Sequence, residues 1–370
     1  HLIFIVKIKI IMTVCILGNG LTALTLAKTL VNQNIYVDLL APKKEHKLSH
    51  TRTLGISKTN SDFFNRDIIS IEKLLWKLRK IEIFSENLKK EKLINFENKE
   101  DQLFSIIKNY QLYEILKKSL FKNKFFKKKI DNKKNLSFIK NYSLIINCDY
   151  SHPVTKKYFN KKIIKKYSSY AHTTIIKHEK ITNNTAIQIF TKIGPLAFLP
   201  ISNEETSVVY STHNNLNKKI NNIEELISKY NYKFKIKKIN HIDSFELKST
   251  NLRSYYHSNI LAFGDLLHTV HPLAGQGFNI TIRDIKILAN IIRKKNDLGL
   301  PLDSSINDEF ENIAKHKNFI FTNGIDFIHE FFNMERKINN KFLSKSAQFF
   351  GNNQIINKIF IKFANKGTLF

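Results

Sequence analysis

The hydrophobic pattern changes character along the chain. Thr13-Val-Cys-Ile-Leu17 is a short, β-branched apolar run closed by Gly18, the pattern of a buried strand. Gly18-Asn-Gly20-Leu-Thr-Ala23 then opens an apolar helix marked by Leu21, Leu24, Leu26 and Leu30, and IYVDLLA supplies a second strand, completing β-α-β. From Ser61 to about Leu120 apolar residues recur at three and four spacing among charges. Segments such as IEKLLWKLRKIEIF and NYQLYEILKKSLF therefore predict amphipathic surface helices. Phe121 to Asn141 is lysine-rich and weakly periodic, which predicts a hairpin or loop. SLIINCD gives a third strand of the nucleotide-domain kind, stopping at Asp149.

Between Tyr167 and Leu247 the pattern becomes that of strands: YAHTTIIKHE, TAIQIFT, GPLAFLPIS, TSVVYSTH and INHIDSFEL alternate or run apolar between turn residues. One helix, IEELISKYNYKF, interrupts them. NILAFGD, from Asn259 to Asp265, returns to a buried strand followed by a helix, and the tail after Pro301 is helical and basic. The expected class is α/β. A dinucleotide-binding domain of the Rossmann-like, parallel-sheet kind takes residues 12–65, 101–160 and 250–300. An inserted mixed or antiparallel sheet domain takes 66–100 and 161–249, and a C-terminal helical region takes 301–370. No internal repeat is visible.

Composition narrows this picture in few places. With 370 residues and 42% apolar content the chain can bury a core. The formal charge of +29 invites a polyanion-binding reading. The excess is lysine spread among Asn and Ile, with little of the arginine that forks onto phosphates, so compositional bias is favoured and no specific nucleic acid is expected. Cys15 and Cys148 lack CxxC spacing, which suggests neither a metal site nor a disulfide framework. No apolar run reaches the roughly 20 residues that span a bilayer. The opening HLIFIVKIKII before Met12 is read as a misplaced start, leaving open whether residues 1–11 belong to the native chain.

The candidate chemistry lies in two turns. Gly18-x-Gly20-x-x-Ala23 sits between strand and helix. There the first glycine permits the tight turn, the second lets backbone approach a pyrophosphate, and a small third residue allows close helix–strand packing. Ala41 stands where an acidic residue usually ends the second strand, and Asp38, three residues earlier, reads as an exposed strand position. The second turn runs from Gly264-Asp265 to His271-Pro-Leu-Ala-Gly-Gln-Gly-Phe-Asn279. A strand ends in a carboxylate able to bind a sugar hydroxyl, and a glycine-bearing loop then presents backbone amides at a helix N-terminus, an anion site. His268 and His271 flank this loop without a carboxylate or cysteine constellation and read as loop-positioning residues. No activated serine, cysteine or lysine nucleophile stands out, so no catalytic side chain is assigned.

These residues resemble the para-hydroxybenzoate-hydroxylase superfamily of FAD-dependent monooxygenases, and within it the ubiquinone-biosynthesis hydroxylases, over Met12 to about Asn333. Gly18, Gly20 and Ala23 match the ADP-binding turn, Arg52 in HTRTLGIS a flavin-contacting arginine, and Asn109 a polar position near the cofactor. GPLAFLP, from Gly194 to Pro200, matches a strand beside the substrate cavity. Asp149 matches the carboxylate of an Asp-Gly motif, and Asp265 the carboxylate on the flavin ribityl chain. Pro272, Ala274, Gly275, Gln276, Gly277, Phe278 and Asn279 match the loop on the isoalloxazine.

Some positions depart from the family pattern. Tyr150 replaces a glycine and would crowd backbone approach, Lys156 replaces an arginine, and Leu266, Leu267 and Thr281 replace small residues, which predicts rearranged packing.

The resemblance implies FAD as cofactor, NAD(P)H or a protein reductant as electron donor, and O2 as co-substrate. It also implies transfer of one oxygen atom to the ring of a polyprenylated phenol or quinone precursor, in company with ubiquinone-biosynthesis partner proteins. The expected location is cytoplasmic, with peripheral contact at the inner membrane face. Ile355, Ile356, Ile359, Phe360 and Phe363 among Lys358, Lys362 and Lys366 form a basic amphipathic pattern that either makes that contact or docks on the protein's own core. The rival reading is a flavin-binding accessory subunit that hydroxylates nothing.

Overall fold

The computed structural model describes residues 13–43, 48–86, 92–97, 102–132, 136–213, 223–270 and 277–338. Strand β1 (Thr13–Leu17) lies between β2 (Tyr36–Ala41) and β9 (Ile145–Asn147), parallel to both, and β17 (Ile260–Ala262) pairs parallel with β9. β8 (Phe126–Ile130) adds in parallel outside β2, and the short β16 (Tyr256–His257) closes the other edge antiparallel to β17. Helix α1 (Leu21–Val31) buries Ala23, Leu24, Leu26, Ala27 and Leu30 in the same core as Val14, Ile16, Ile145 and Leu261. Each such leucine contributes roughly 1.5–3 kcal/mol on leaving water. The β-α-β unit is thus held by burial on one face of a parallel sheet.

The second sheet is mixed. Its order runs β18 (His268–Thr269), β15 (Asp243–Leu252), β10 (Lys162–His178), β13 (Glu205–His213), β12 (Pro195–Pro200), β11 (Thr185–Phe190), β5 (Lys80–Ser85) and β6 (Lys92–Glu97), with β14 (Ile236–Ile239) beside β10. Among the described residues of this sheet only β11–β5 is parallel, a pairing that the long connection between residues 85 and 185 permits. One face packs with the Ile223–Tyr230 helix through Ile187, Phe198, Tyr210 and Ile227. The other meets a three-stranded sheet, β3 (Thr53–Ser57), β7 (Phe104–Lys108) and β4 (Trp76–Leu78), through Leu78, Phe104, Ile106, Ala197 and Leu199. The helices Gly277–Asp297 and Ser305–Ile338 complete the described chain.

Two expected elements differ. IEKLLWKLRKIEIF is a short 3-10 turn, Glu72–Leu74, followed by β4 and β5. Its three-and-four spacing coexists with the alternation Ile81-Glu-Ile83, and the partners β11 and β6 on either side supply the sheet environment that selects the strand. Within Phe121 to Asn141, β8 extends the parallel sheet at its edge, where a lysine-rich strand discourages pairing with another chain. The amphipathic tail, Ile355 to Lys366, lies outside the described residues.

Candidate functional site

The carboxyl ends of β1, β9 and β17 meet at one edge of the parallel sheet. Gly18 leaves β1 with φ 109°, and a Cβ there would lie 3.3 Å from the Cβ and backbone nitrogen of Asp149. Its N–H donates to the Leu40 carbonyl at 2.9 Å, tying the turn to β2. Gly20 caps α1 without a side-chain hydrogen bond, and a Cβ there would meet nothing within 4 Å. With no acidic residue in its first turn, α1 presents free N–H groups and the positive end of its dipole to open space. Gly264, φ 67°, is the second obligatory glycine: its Cβ would fall 2.6 Å from Cγ2 of Thr22, so β17 and α1 meet there only because no side chain intervenes.

The predicted carboxylates flank this junction. Asp149 Oδ1 accepts from the Ser151 N–H at 2.8 Å and its hydroxyl at 2.7 Å, bracing the turn after β9. Asp265 is solvent-exposed, yet burial among surrounding protein raises its carboxyl above the usual carboxylate range, against the opposing pull of His268 and Arg52. A carboxyl that water reaches and protein desolvates lines a recess rather than an outer surface. Cys148 lies between the two carboxylates electrostatically: burial foremost, then Asp265 and Asp149, push its thiol well up.

Arg52 connects the recess to the large sheet. Its guanidinium stands 5.1 Å from the Phe245 ring of β15 and within electrostatic reach of Asp265 and Asp243. Its carbonyl accepts the N–H of Asn109 at 3.1 Å, at the start of α3 (Asn109–Leu120). Asn109 Oδ1 is buried without a hydrogen-bond partner, an acceptor left for something other than protein. The open cradle at Gly20, the recessed Asp265 and this orphaned acceptor fit a phosphate-linked, hydroxyl-bearing and hydrogen-bond-donating group such as FAD.

Of the loop residues, Pro272, Ala274, Gly275 and Gln276, with His271, lie outside the described residues. Gly277 starts its helix with open space where a Cβ would stand, and Phe278 packs on the main core. Asn279 is fully buried and engaged with protein. Its Oδ1 accepts from the Ser57 N–H at 2.9 Å and Asn60 Nδ2 at 2.8 Å, while its Nδ2 donates to the Gly55 carbonyl at 2.9 Å. The side chain clamps the Gly277–Asp297 helix to β3 and to helix α2 (Lys58–Phe63).

The departures from the family pattern resolve locally. Tyr150 is half exposed, and its hydroxyl meets Lys162 Nζ. Leu266, Leu267 and Thr281 are all buried. Asp38 is buried rather than exposed, accepting from Lys129 Nζ at 2.5 Å and Tyr142 Oη at 2.7 Å, and is thereby occupied away from the strand end that Ala41 forms.

Two supports escaped sequence reading, and the first corrects the expectation that His268 has no carboxylate partner. His268 Nε2 lies 2.7 Å from Asp284 Oδ2, and Asn318 Nδ2 donates to Asp284 Oδ1 at 3.0 Å, joining the segment after Asp265 to both long helices. The signal was present: Asp284 falls among Ile280, Ile282, Ile285 and Leu288, a carboxylate on a buried helix face. Asp243 accepts from Ser49 at 2.5 Å and from Thr51, pinning the Arg52 segment to β15.

With this geometry in view, the likenesses to known proteins are consistent. A family model described as FAD binding domain matches residues 173–295, which include Asp265, Gly277 and Asn279. Among solved structures, p-nitrophenol 4-monooxygenase PnpA from Pseudomonas putida aligns with a TM-score of 0.75 at 11% identity, over 96% of this chain and 99% of that one. Klebsiella pneumoniae HpxO, complexed with FAD and uric acid, aligns with a TM-score of 0.70 at 11% identity, over 94% and 95%. The fold is that of the FAD-dependent monooxygenases. By sequence the chain is similar, over part of its length, to proteins named as ubiquinone-biosynthesis hydroxylases. Ubiquinone hydroxylase UbiL of Rhodospirillum rubrum is 25% identical over 42% of this chain and 38% of its own length. The 3-demethoxyubiquinol 3-hydroxylase of Escherichia coli is 26% identical over 42% and 41%. The COQ6 monooxygenase of Schizosaccharomyces pombe is 22% identical over 53% and 51%. The matches therefore span about half or less of these relatives' lengths.

Proposed function

We propose that this chain binds FAD and hydroxylates the aromatic ring of a polyprenylated phenol or related quinone precursor. The observation that carries the reading is the junction of Gly18, Gly20, Asp149 and Asp265 at one sheet edge, joined through Arg52 to the face of a second sheet. Gly20 and the α1 N-terminus would receive the pyrophosphate, Asp265 a ribityl hydroxyl, Asn109 a polar edge of the cofactor, and the Gly277 helix end the developing negative charge of the reduced ring. When bound, FAD would supply the redox chemistry, passing two electrons from NAD(P)H or a protein reductant to O2, one atom of which would enter the ring while the other leaves as water. The chain's own groups bind, orient and exclude water. Phe245, beside the Arg52 guanidinium, offers a ring against which the substrate would lie.

Native purification tests the cofactor, and incubation with a short-chain prenylated phenol, reductant and O2 tests the reaction. A yellow protein giving a hydroxylated product supports the proposal. A colourless protein that takes up no FAD sinks it. A second reading, a flavin-binding subunit without hydroxylase activity, draws on the buried Ala41, which ends β2 without a ribose-binding carboxylate. FAD uptake without product under every donor would select that reading.

A further inference from the structure

We propose that the β10–β15 ladder around Tyr150 is a docking surface for an anionic phospholipid bilayer. This rests on the reading above only in that a prenylated substrate resides in a membrane. In the register Lys162↔Leu252, Ile164↔Thr250 and Lys166↔Lys248, paired residues share a face, so Lys162, Ile164, Lys166 and Lys248 lie together. Tyr150 joins this face: Lys162 Nζ lies 4.5 Å and Lys248 Nζ 5.6 Å from its ring centroid. Tyr150 is 46% and Ile164 48% exposed, two large apolar side chains ringed by three ammonium groups.

None of these three lysines is ion-paired with a carboxylate among the described residues, whereas Lys165 on the opposite face is paired with Asp326 and Glu330. Alternation places one acid on the Tyr150 face, Glu246, beyond Lys248. An amphipathic tyrosine and a branched aliphatic residue between lysines have the composition of a bilayer interface, the rings and methyls entering the headgroup layer and the ammonium groups meeting lipid phosphates. Protein interfaces, by contrast, favour arginine over lysine. The place also suits delivery: Tyr150 adjoins Asp149, and the Thr269 hydroxyl donates to the Lys248 carbonyl at 3.1 Å, just before the flavin loop. A lipid-tailed substrate would leave the bilayer beside the cofactor recess.

Co-sedimentation of the full, FAD-loaded chain with phosphatidylcholine vesicles, with and without about one-third phosphatidylglycerol, tests this. The wild type is expected to sediment with the anionic vesicles and not the neutral ones. The double variant Lys162→Gln/Lys248→Gln should lose about thirtyfold in vesicle affinity, from roughly 1 kcal/mol per lysine near the surface, and Ile164→Ser should weaken it further. Lys237→Gln/Lys238→Gln, on β14, serves as a charge-matched control and should match the wild type. Equal loss in both double variants would mean diffuse attraction by net charge and overturn the proposal, as would equal binding to neutral vesicles or none to anionic ones. Flavin content and phenol-induced changes in the flavin spectrum, read on the same samples, report the enzymatic reading independently.

Discussion

At the scale of single residues, the site depends on two places where a side chain has no room and one where a carboxyl is half withdrawn from water. Gly18→Ala would place a methyl 3.3 Å from Asp149 Cβ at φ 109°. The expected cost is about 1–3 kcal/mol of backbone strain, seen as a lower Tm of the apoprotein and a flavin-to-protein ratio near zero after purification. Asp265 gives a pH signature with opposite signs in two measurements. Its carboxyl is raised from 3.8 by burial, so its contribution to apoprotein stability is present below the unfolded pKa and is lost as pH rises through the folded one. FAD affinity should run the other way, weakening as pH falls through that raised pKa, because the protonated acid gives up acceptor capacity for a ribityl hydroxyl. Fluorescence titration of FAD between pH 4 and 8, as a working range around the usual carboxylate value, checks this. A Kd with the same pH profile in wild type and Asp265→Asn would contradict the assignment.

At the scale of elements, strands and caps with local chemistry were legible, and those decided by distant partners were not. The Gly18 turn, α3, β9 and the alternating strands of the large sheet each carry their own period or turn residue. β5 did not: Ile81 and Ile83 acquire a strand environment only from β11, a hundred residues away, and helical spacing in IEKLLWKLRK masks it. β8 looked like a loop because its lysines serve an edge. At the site, the turn glycines and the strand-ending Asp265 carry local signals in the sequence, whereas the hydrogen bonds of Asn279 do not, since its partners Gly55, Ser57 and Asn60 lie more than two hundred residues earlier. Asn279→Ala should therefore destabilise the protein itself by about 3 kcal/mol, leaving a buried N–H and carbonyl unpaired, and urea denaturation of the apoprotein should show it before any flavin is added. Asp284→Ala, which strands the buried His268 and Asn318, should cost about 3–5 kcal/mol. In both variants a lower flavin content with unchanged urea midpoint would indicate direct cofactor contact instead.

At the scale of the whole molecule, the recess lies between the parallel sheet, which leads into Asp265, and the large sheet, which carries Phe245, with Arg52 reaching both. The parallel sheet is assembled from strands at residues 13–17, 145–147 and 260–262, so the chain cannot be cut between its halves without opening the cofactor edge. The large sheet is no more independent: one of its faces is completed, along a seam, by Leu78, Phe104 and Ile106 of the three-stranded sheet. Trp76, the one tryptophan of the chain, sits on that seam, donating its indole N–H to the Asn183 carbonyl at 2.7 Å across to the segment before β11. Its emission therefore reports whether the sheets stay together. If the seam and the recess are one cooperative unit, thermal unfolding followed by Trp76 emission and by release of bound flavin should give coincident transitions. Excess FAD should move both upward together, by about 2.7 kcal/mol at a hundredfold excess over Kd. Flavin release well below the Trp76 transition would instead mean that the parallel sheet opens while the seam holds, and the two sheets would have to be treated as separate folding units.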